Sequence, residues 1–194
     1  MESVANALNS MTKKQLEQVL NLAQIKALCL PPSNLHCQQR HDKLLETVLL
    51  MGYLGLRVSE AIKFTWQTVP VEDKTAFLVT GKGNKQRLVF NLLNNSYIQR
   101  KAKLDPTQDH WKKISRIAIW KYLQKKSLEL NLTWTISPHT LRRSFASILH
   151  YDLGLDSSSI QQLLGHSQFK TTERYLKKDV RFLLTNLQRK GFCL

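Results

Sequence analysis

Apolar residues recur at helical spacing along most of this chain. Thr12 and Gln15 fit a capping box, and the apolar stripe that follows them predicts a first helix over residues 13–28. The same spacing predicts a second helix over residues 40–53, which Gly52 and Gly55 are predicted to end. Further helices are predicted over residues 92–103, 114–129 and 138–151. Two more follow, one that Asp156 caps and Gly165 ends, and one that starts at Thr171 or Thr172.

Two short segments follow a strand pattern instead. Residues 76–80 and 87–90 are rich in Val, Phe and Thr, and the sequence Gly-Lys-Gly-Asn-Lys-Gln joins them. We therefore predict an α+β fold that is mainly α-helical and carries a small antiparallel β-sheet. Lys82 and Lys85 are expected at the tip of the hairpin.

The charge of the chain indicates its class of partner. Among 194 residues there are 29 Lys and Arg against 14 Asp and Glu, a formal net charge of +15. Such an excess favours a polyanion, because basic side chains bind phosphates and release counterions. Nucleic acid is the leading candidate, but charge alone does not separate DNA from RNA or from an acidic membrane.

The cysteines and the hydropathy indicate a compartment. Cys29, Cys37 and Cys193 form no Cys-x-x-Cys pair, and no apolar run approaches the ~20 residues that a membrane span needs. We predict a reduced, cytoplasmic location and no membrane partner. The adjacent His36 and Cys37 do not match paired zinc-ligand spacing, so no metal site is expected.

Four short motifs carry the candidate chemistry. They are Gly-Leu-Arg-Val-Ser-Glu (55–60), Thr-Gly-Lys-Gly-Asn-Lys-Gln-Arg (80–87), His-Thr-Leu-Arg-Arg (139–143), and a run from Leu163 that reaches Tyr175 nine residues after His166. His139 and Arg142 are three residues apart, so they share one face of the predicted helix. The arrangement suggests a tyrosine that attacks a phosphate.

Taken together and in this order, the motifs resemble the tyrosine recombinase (phage integrase) family, from about Thr12 to Leu176. The resemblance implies the integrase-like DNA breaking-rejoining catalytic fold and site-specific recombination of double-stranded DNA, of the integration or excision type found in mobile genetic elements. It implies neither a metal nor another cofactor. The catalytic set it implies is Arg57, Lys82, His139, Arg142, His166 and Tyr175.

The chemistry explains why these residue types are needed. A phenol of pKa ~10 must attack a phosphate that repels anions. Two guanidinium groups, here those of Arg57 and Arg142, can each hold non-bridging oxygens through a bidentate fork that lysine lacks. The resemblance makes Lys82 the general acid for the leaving 5′-oxygen and Tyr175 the nucleophile that forms a 3′-phosphotyrosine.

The remaining roles also follow from the resemblance. His139 would manage the tyrosine proton, His166 would donate to the scissile phosphate, and Glu60 would hold Arg57 or His139 in place. Lys85 is the main rival of Lys82. The residues expected to contact DNA are Lys85, Arg87, Arg143, Lys170 and Arg174.

We expect one catalytic domain over residues 1–194, with a flexible lead-in over about 1–11 and a tail helix over about 179–194 that docks on a neighbouring subunit. The N-terminal core-binding domain that is typical of the family is expected to be absent from these residues. The assembly is expected to be a homotetramer on synapsed DNA, with a monomer as one option when the protein is free, and associated with the nucleoid if the source is bacterial.

Three alternatives remain open at this point. A type IB topoisomerase uses similar residues to relax supercoils without a partner subunit. A regulator could keep the fold and occupy DNA without cutting it. A basic RNA-binding module would predict aromatic stacking motifs on strands, and the two predicted strands show none.

Overall fold

The structure is a computed structural model that describes residues 18–31, 39–71, 74–104 and 114–165. Its helices are α1 (Leu22–Leu28), α2 (Arg40–Leu54), α3 (Val58–Ile62), α4 (Ser96–Lys101), α5 (Arg116–Glu129), α6 (Pro138–Ser147) and α7 (Ser157–Leu164). Its strands are β1 (Thr68–Val71), β2 (Lys74–Thr80) and β3 (Gln86–Val89). Several predictions, including the capping box at Thr12, the helix after Thr171 and the tail over 179–194, lie outside the described residues.

The strands form one antiparallel sheet in the order β1-β2-β3. Phe77 at the centre of β2 pairs with Thr68 on one side and with Val89 on the other. The hairpin between β2 and β3 was predicted and is confirmed, but strand β1 was missed. Its Pro70 weakens the strand signal, and proline is tolerated here because β1 is an edge strand.

Three predicted helices begin later than the sequence suggested. Within the described residues the first helix runs only over Leu22–Leu28, because Asn21 caps it and forms a capping box with Gln24. Helix α4 begins at Ser96 because the side chain of Asn95 accepts from the backbone N of Ile98. Helix α5 begins at Arg116, after its N-cap Ser115.

Helix α2 lies at the centre of the fold. All its residues from Leu45 to Leu54 are buried, and it packs against α3, α5 and α6. Gly52 lies inside this helix and does not end it; a Cβ there would meet the Sγ of Cys29 at 2.6 Å. Gly55 ends it in the left-handed conformation, with φ +63°, as predicted. Arg57 therefore lies at the sharp junction between α2 and α3.

Helices α6 and α7 complete the scaffold around this junction. Ser137 caps α6 ahead of Pro138, and Asp156 caps α7, both as predicted. A short π-helical turn over Ile148–Asp152 continues α6. A second apolar cluster, which includes Phe90, Phe145 and Leu163, packs α6 and α7 against the sheet.

Two further findings concern the environment of one cysteine and the length of the helices. Cys29 is buried in the main core, and burial raises the pKa of its thiol. None of the helices in the described ranges is both long and apolar enough to cross a bilayer.

Candidate active site

Glu60 is the centre of the candidate site. It lies in the first turn of α3, and its Oε2 accepts from the backbone N of Arg57 at 2.8 Å. Its Oε1 accepts from Nη1 of Arg57, also at 2.8 Å. The family resemblance assigned Glu60 to hold Arg57 or His139, and the structure shows its carboxylate bonded to Arg57. The carboxylate is almost fully buried, whereas the Arg57 side chain keeps 32% of its exposure.

Arg87 in β3 binds the same carboxylate from the other side. Its Nη1 and Nη2 donate to Oε1 and Oε2 of Glu60 at 2.9 and 2.8 Å. Its Nε donates to the backbone O of Leu163 at the same 2.9 Å. The structure thus places the Arg87 side chain, predicted to contact DNA, in a cluster where it is only 10% exposed.

Arg142 completes the cluster from α6. Its Nη1 donates to the backbone O of Gly55 at 2.6 Å and lies 3.9 Å from Oε2 of Glu60. Its Nη2 donates to the backbone O of Leu164. The bend after α2 and the end of α7 therefore fix the orientation of this guanidinium.

The charges of the cluster do not cancel. Three arginines against one glutamate leave an excess of two positive charges. Burial raises the pKa of Glu60, but hydrogen bonds from Arg87 and Arg57 outweigh it and lower that pKa to about 2. Burial, together with the charges of Arg57 and Arg87, lowers the pKa of Arg142 to about 9, so its guanidinium is still charged at neutral pH. The cluster is suited to hold an anion.

The end of α7 shares all three arginines. Leu163, Leu164 and Gly165 present consecutive backbone carbonyls, which accept from Arg87, Arg142 and Arg57 respectively. The last carbonyls of a helix lack partners within it and carry the negative end of its dipole. Guanidinium donors satisfy both needs, so the cluster fixes the point of the chain that precedes His166.

The hairpin carries the predicted lysines. Residues Lys82–Asn84 form a short 3₁₀ turn between β2 and β3, and Gly81 N donates to the backbone O of Lys85 at 2.8 Å. Lys85 is exposed. The hairpin position predicted for both residues is confirmed, while their roles stay predictions.

Of the other predicted residues, the structure describes His139 and Arg143. His139 is exposed in the first turn of α6, whereas Arg142 one turn later is buried. Arg143 is partly buried, and its Nη2 donates to the backbone O of Gln18 at 3.2 Å. His166, Lys170, Arg174 and Tyr175 lie outside the described residues.

Sequence reasoning missed one feature of the site, the ion pair between Arg87 and Glu60. The two residues are 27 positions apart, so helical spacing cannot reveal the pair. The available signal was Arg87 at the base of a hairpin whose tip carries the predicted general acid.

Comparison with known proteins identifies the family. The family model described as the phage integrase family matches residues 9–181. The chain therefore belongs to the phage integrase family, and the predicted resemblance is confirmed.

The curated relatives are recombinases. Tyrosine recombinase XerD of Staphylococcus saprophyticus is 34% identical, over 84% of this chain and 58% of that protein. Tyrosine recombinase XerD of Staphylococcus epidermidis is 33% identical, over 89% of this chain and 63% of that protein. The chain thus spans less than two thirds of the length of these relatives.

Solved structures share the fold. The XerH site-specific recombinase in a pre-cleavage complex with its difH substrate matches with a TM-score of 0.56 and 18% identity, over 90% of this chain and 55% of that one. The integrase from mycobacterium phage Brujita matches with a TM-score of 0.60 and 19% identity, over 88% and 57%. The predicted fold class, mainly helical with a small antiparallel sheet, is confirmed.

Proposed function

We propose that this chain is the catalytic part of a tyrosine-type site-specific DNA recombinase. One observation carries the proposal: the guanidinium groups of Arg57 and Arg142 lie 2.8 and 3.9 Å from the same Glu60 carboxylate. Two neighbouring guanidinium groups held in this way offer bidentate donors to the oxygens of one phosphodiester. The curated relatives, which are tyrosine recombinases, support the same activity.

The proposed substrate is double-stranded DNA. The formal charge of +15 favours a polyanion, and the related fold of XerH occurs in a complex with its difH substrate. Lys85 on the hairpin, together with Arg143, Lys170 and Arg174, is proposed to contact phosphates. Because the proposed substrate is DNA, the proposed location is the cytoplasm, in association with the nucleoid if the host is a bacterium.

The proposed reaction exchanges one phosphoester for another. The Tyr175 oxygen attacks phosphorus, the bond to the 5′-oxygen breaks, and Lys82 gives the leaving oxygen its proton. The products are a 3′-phosphotyrosine and a 5′-hydroxyl. A 5′-hydroxyl from another strand then reverses the step and releases Tyr175, so that no energy source is consumed.

The histidines and the cluster serve this exchange. His139 accepts the tyrosine proton, and His166 donates to a non-bridging oxygen of the phosphate. Arg57 and Arg142 offset the negative charge that builds up in the transition state, for which one preorganised donor contributes roughly 10²–10³ in rate. Glu60 keeps the arginines oriented.

Recombination needs two duplexes, and we propose a homotetramer that assembles on them from monomers. The amphipathic segment 179–194 is proposed to dock on a neighbouring subunit. Removal of residues 180–194 should therefore abolish strand exchange. Unchanged synapsis and exchange after this truncation would refute the docking.

A covalent-capture experiment tests the activity itself. The chain is incubated at low salt with a library of nicked suicide duplexes whose central sequence is randomised, and the products are separated on a denaturing gel. We expect a protein–DNA adduct with the wild type and none with Tyr175→Phe. An adduct that persists in the Tyr175→Phe variant would overturn the nucleophile assignment.

A further inference from the structure

Arg87 differs from the other two arginines of the cluster in how its donors are used. All three of its guanidinium nitrogens donate inside the protein, two to Glu60 and one to the backbone O of Leu163. Its side chain is 10% exposed, against 32% for Arg57. A phosphate that approached Arg87 would have to break these hydrogen bonds. The exposed part of the Arg57 side chain, in contrast, can contact a phosphate directly.

Arg87 fixes the plane of the Glu60 carboxylate. It holds both oxygens, at 2.9 and 2.8 Å, and the same oxygens hold the side chain and the backbone N of Arg57. A bidentate pair is more restrictive than a single contact because both oxygens are fixed at once. The orientation of Arg57 is therefore set through Glu60 by Arg87.

Arg87 also lies between two backbone segments of the site. A Cβ at Gly165 would meet its Cδ at 2.8 Å, and a Cβ at Gly81 would meet Oε1 of Glu60 at 3.1 Å and Nη1 of Arg87 at 3.7 Å. Both segments thus pack closely on the ion pair. Gly81 precedes Lys82, and Gly165 precedes His166.

We propose that Arg87 is a positioning residue for DNA cleavage, which acts through Glu60 and the end of α7 and makes no contact with a DNA phosphate. It holds the base of the hairpin and the end of α7 at a fixed separation, at the two points of the chain from which Lys82 and His166 follow. This inference rests on the proposed function, and it revises the expectation that Arg87 contacts DNA.

The test separates positioning from phosphate binding. Arg87→Gln, Arg87→Lys and Lys85→Gln are compared with wild type on a duplex recovered from the covalent-capture library, both for equilibrium binding at several salt concentrations and for single-turnover adduct formation at saturating protein. Lys125→Gln on the exposed face of α5 removes one surface charge as a control. Circular dichroism verifies that each variant is folded.

For Arg87→Gln we expect the saturating rate to fall about 10–100-fold, because small displacements of catalytic groups have effects of this size. Its affinity and the slope of log affinity against log salt should match those of wild type. Arg87→Lys, which keeps the charge but cannot span both carboxylate oxygens, should recover only part of the rate. Lys85→Gln should lower the salt slope by about 1, as loss of a phosphate contact does.

A second measurement uses the double variant Glu60→Gln/Arg87→Gln. If Arg87 acts through Glu60, the two rate losses should not add. A salt slope lowered by about 1 in Arg87→Gln with an unchanged saturating rate would overturn the proposal. So would full activity of Arg87→Lys. If wild type itself forms no Tyr175-dependent adduct, the failure belongs to the proposed function.

Discussion

Glu60 holds Arg57 at two points, since its Oε2 accepts from the backbone N of Arg57 and its Oε1 from Nη1, both at 2.8 Å. The first bond fixes the start of α3, and the second fixes the side chain. An arginine that is held at both its backbone and its guanidinium loses little further freedom when it binds a phosphate. Glu60 thereby links the local structure of α3 to the proposed chemistry.

The pKa of Glu60 leads to a prediction about stability. Because that pKa is lowered from 4.5 to about 2, the folded state gains stability that is fully present above pH 4.5 and is lost as the pH falls toward 2. This difference between the pKa of Glu60 in the unfolded and folded states corresponds to about 3 kcal/mol in the free energy of unfolding. Glu60→Gln lacks the titrating group and should be less stable than wild type by about this amount at pH 7.

Urea denaturation of both proteins between pH 7 and pH 3 checks this sign. We expect the stability advantage of wild type over Glu60→Gln to shrink as the pH falls below about 4.5. An advantage that stays constant over this range would mean that the carboxylate is not stabilised by Arg57 and Arg87.

Gly165 provides a second prediction. It has φ +64°, and an added Cβ would meet Cδ of Arg87 at 2.8 Å. Gly83 has a similar φ of +73°, but no atom lies within 4 Å of its Cβ position. Alanine at either position should cost roughly 1–2 kcal/mol from the left-handed backbone. Gly165→Ala should cost more than Gly83→Ala, because it also displaces Arg87.

The free energies of unfolding of the two alanine variants give the comparison. Equal losses would show that the end of α7 does not press on Arg87.

The sequence predicted the features of this site that depend on neighbouring residues, and it missed the ion pair between Glu60 and Arg87, which are distant in sequence. Ser137-Pro138, Asp156 and Gly165 are helix signals read within a few residues, and all three act as predicted. The pair of Glu60 with Arg87 depends on how β3 packs near α3 and α7. No spacing in the sequence encodes that approach.

Two of the differences between the predicted and observed elements have a similar origin. Asn21 caps α1, and its capping box with Gln24 was not part of the prediction. Pro70 weakened the strand pattern of β1, and the position of β1 at the sheet edge depends on its pairing with β2. Family resemblance supplied the predicted catalytic set because chemistry restricts residue types more strongly than packing does.

Arg142 and Arg143 are neighbours with different predicted roles. Arg142 donates to the carbonyls of Gly55 and Leu164, and a lysine cannot reproduce both bonds and a phosphate fork together. Arg142→Lys should therefore slow adduct formation at saturating protein by about 10²–10³. Arg143→Lys keeps a charge near the backbone and should remain within about threefold of wild type, since a phosphate needs only a point charge there. Similar losses in both variants would contradict this division.

The general acid is tested by changing the leaving group. Lys82→Met should slow cleavage of ordinary DNA by about 10²–10⁴, because the 5′-oxygen then leaves unprotonated. A duplex with sulfur in place of that oxygen should restore the rate, since a thiolate leaves without a proton. Lys85→Met should weaken DNA binding but show no such rescue. Rescue of Lys85→Met in place of Lys82→Met would assign the role to Lys85.

The nature of the covalent link tests the central claim most directly. A duplex with distinct labels on the two sides of the nickable bond is trapped by wild type, the adduct is digested with trypsin, and mass spectrometry locates the nucleotide on its peptide. We predict a 3′-phosphate joined to Tyr175, with a 5′-hydroxyl on the released strand. Attachment to any other residue, or to a 5′-phosphate, would contradict the account.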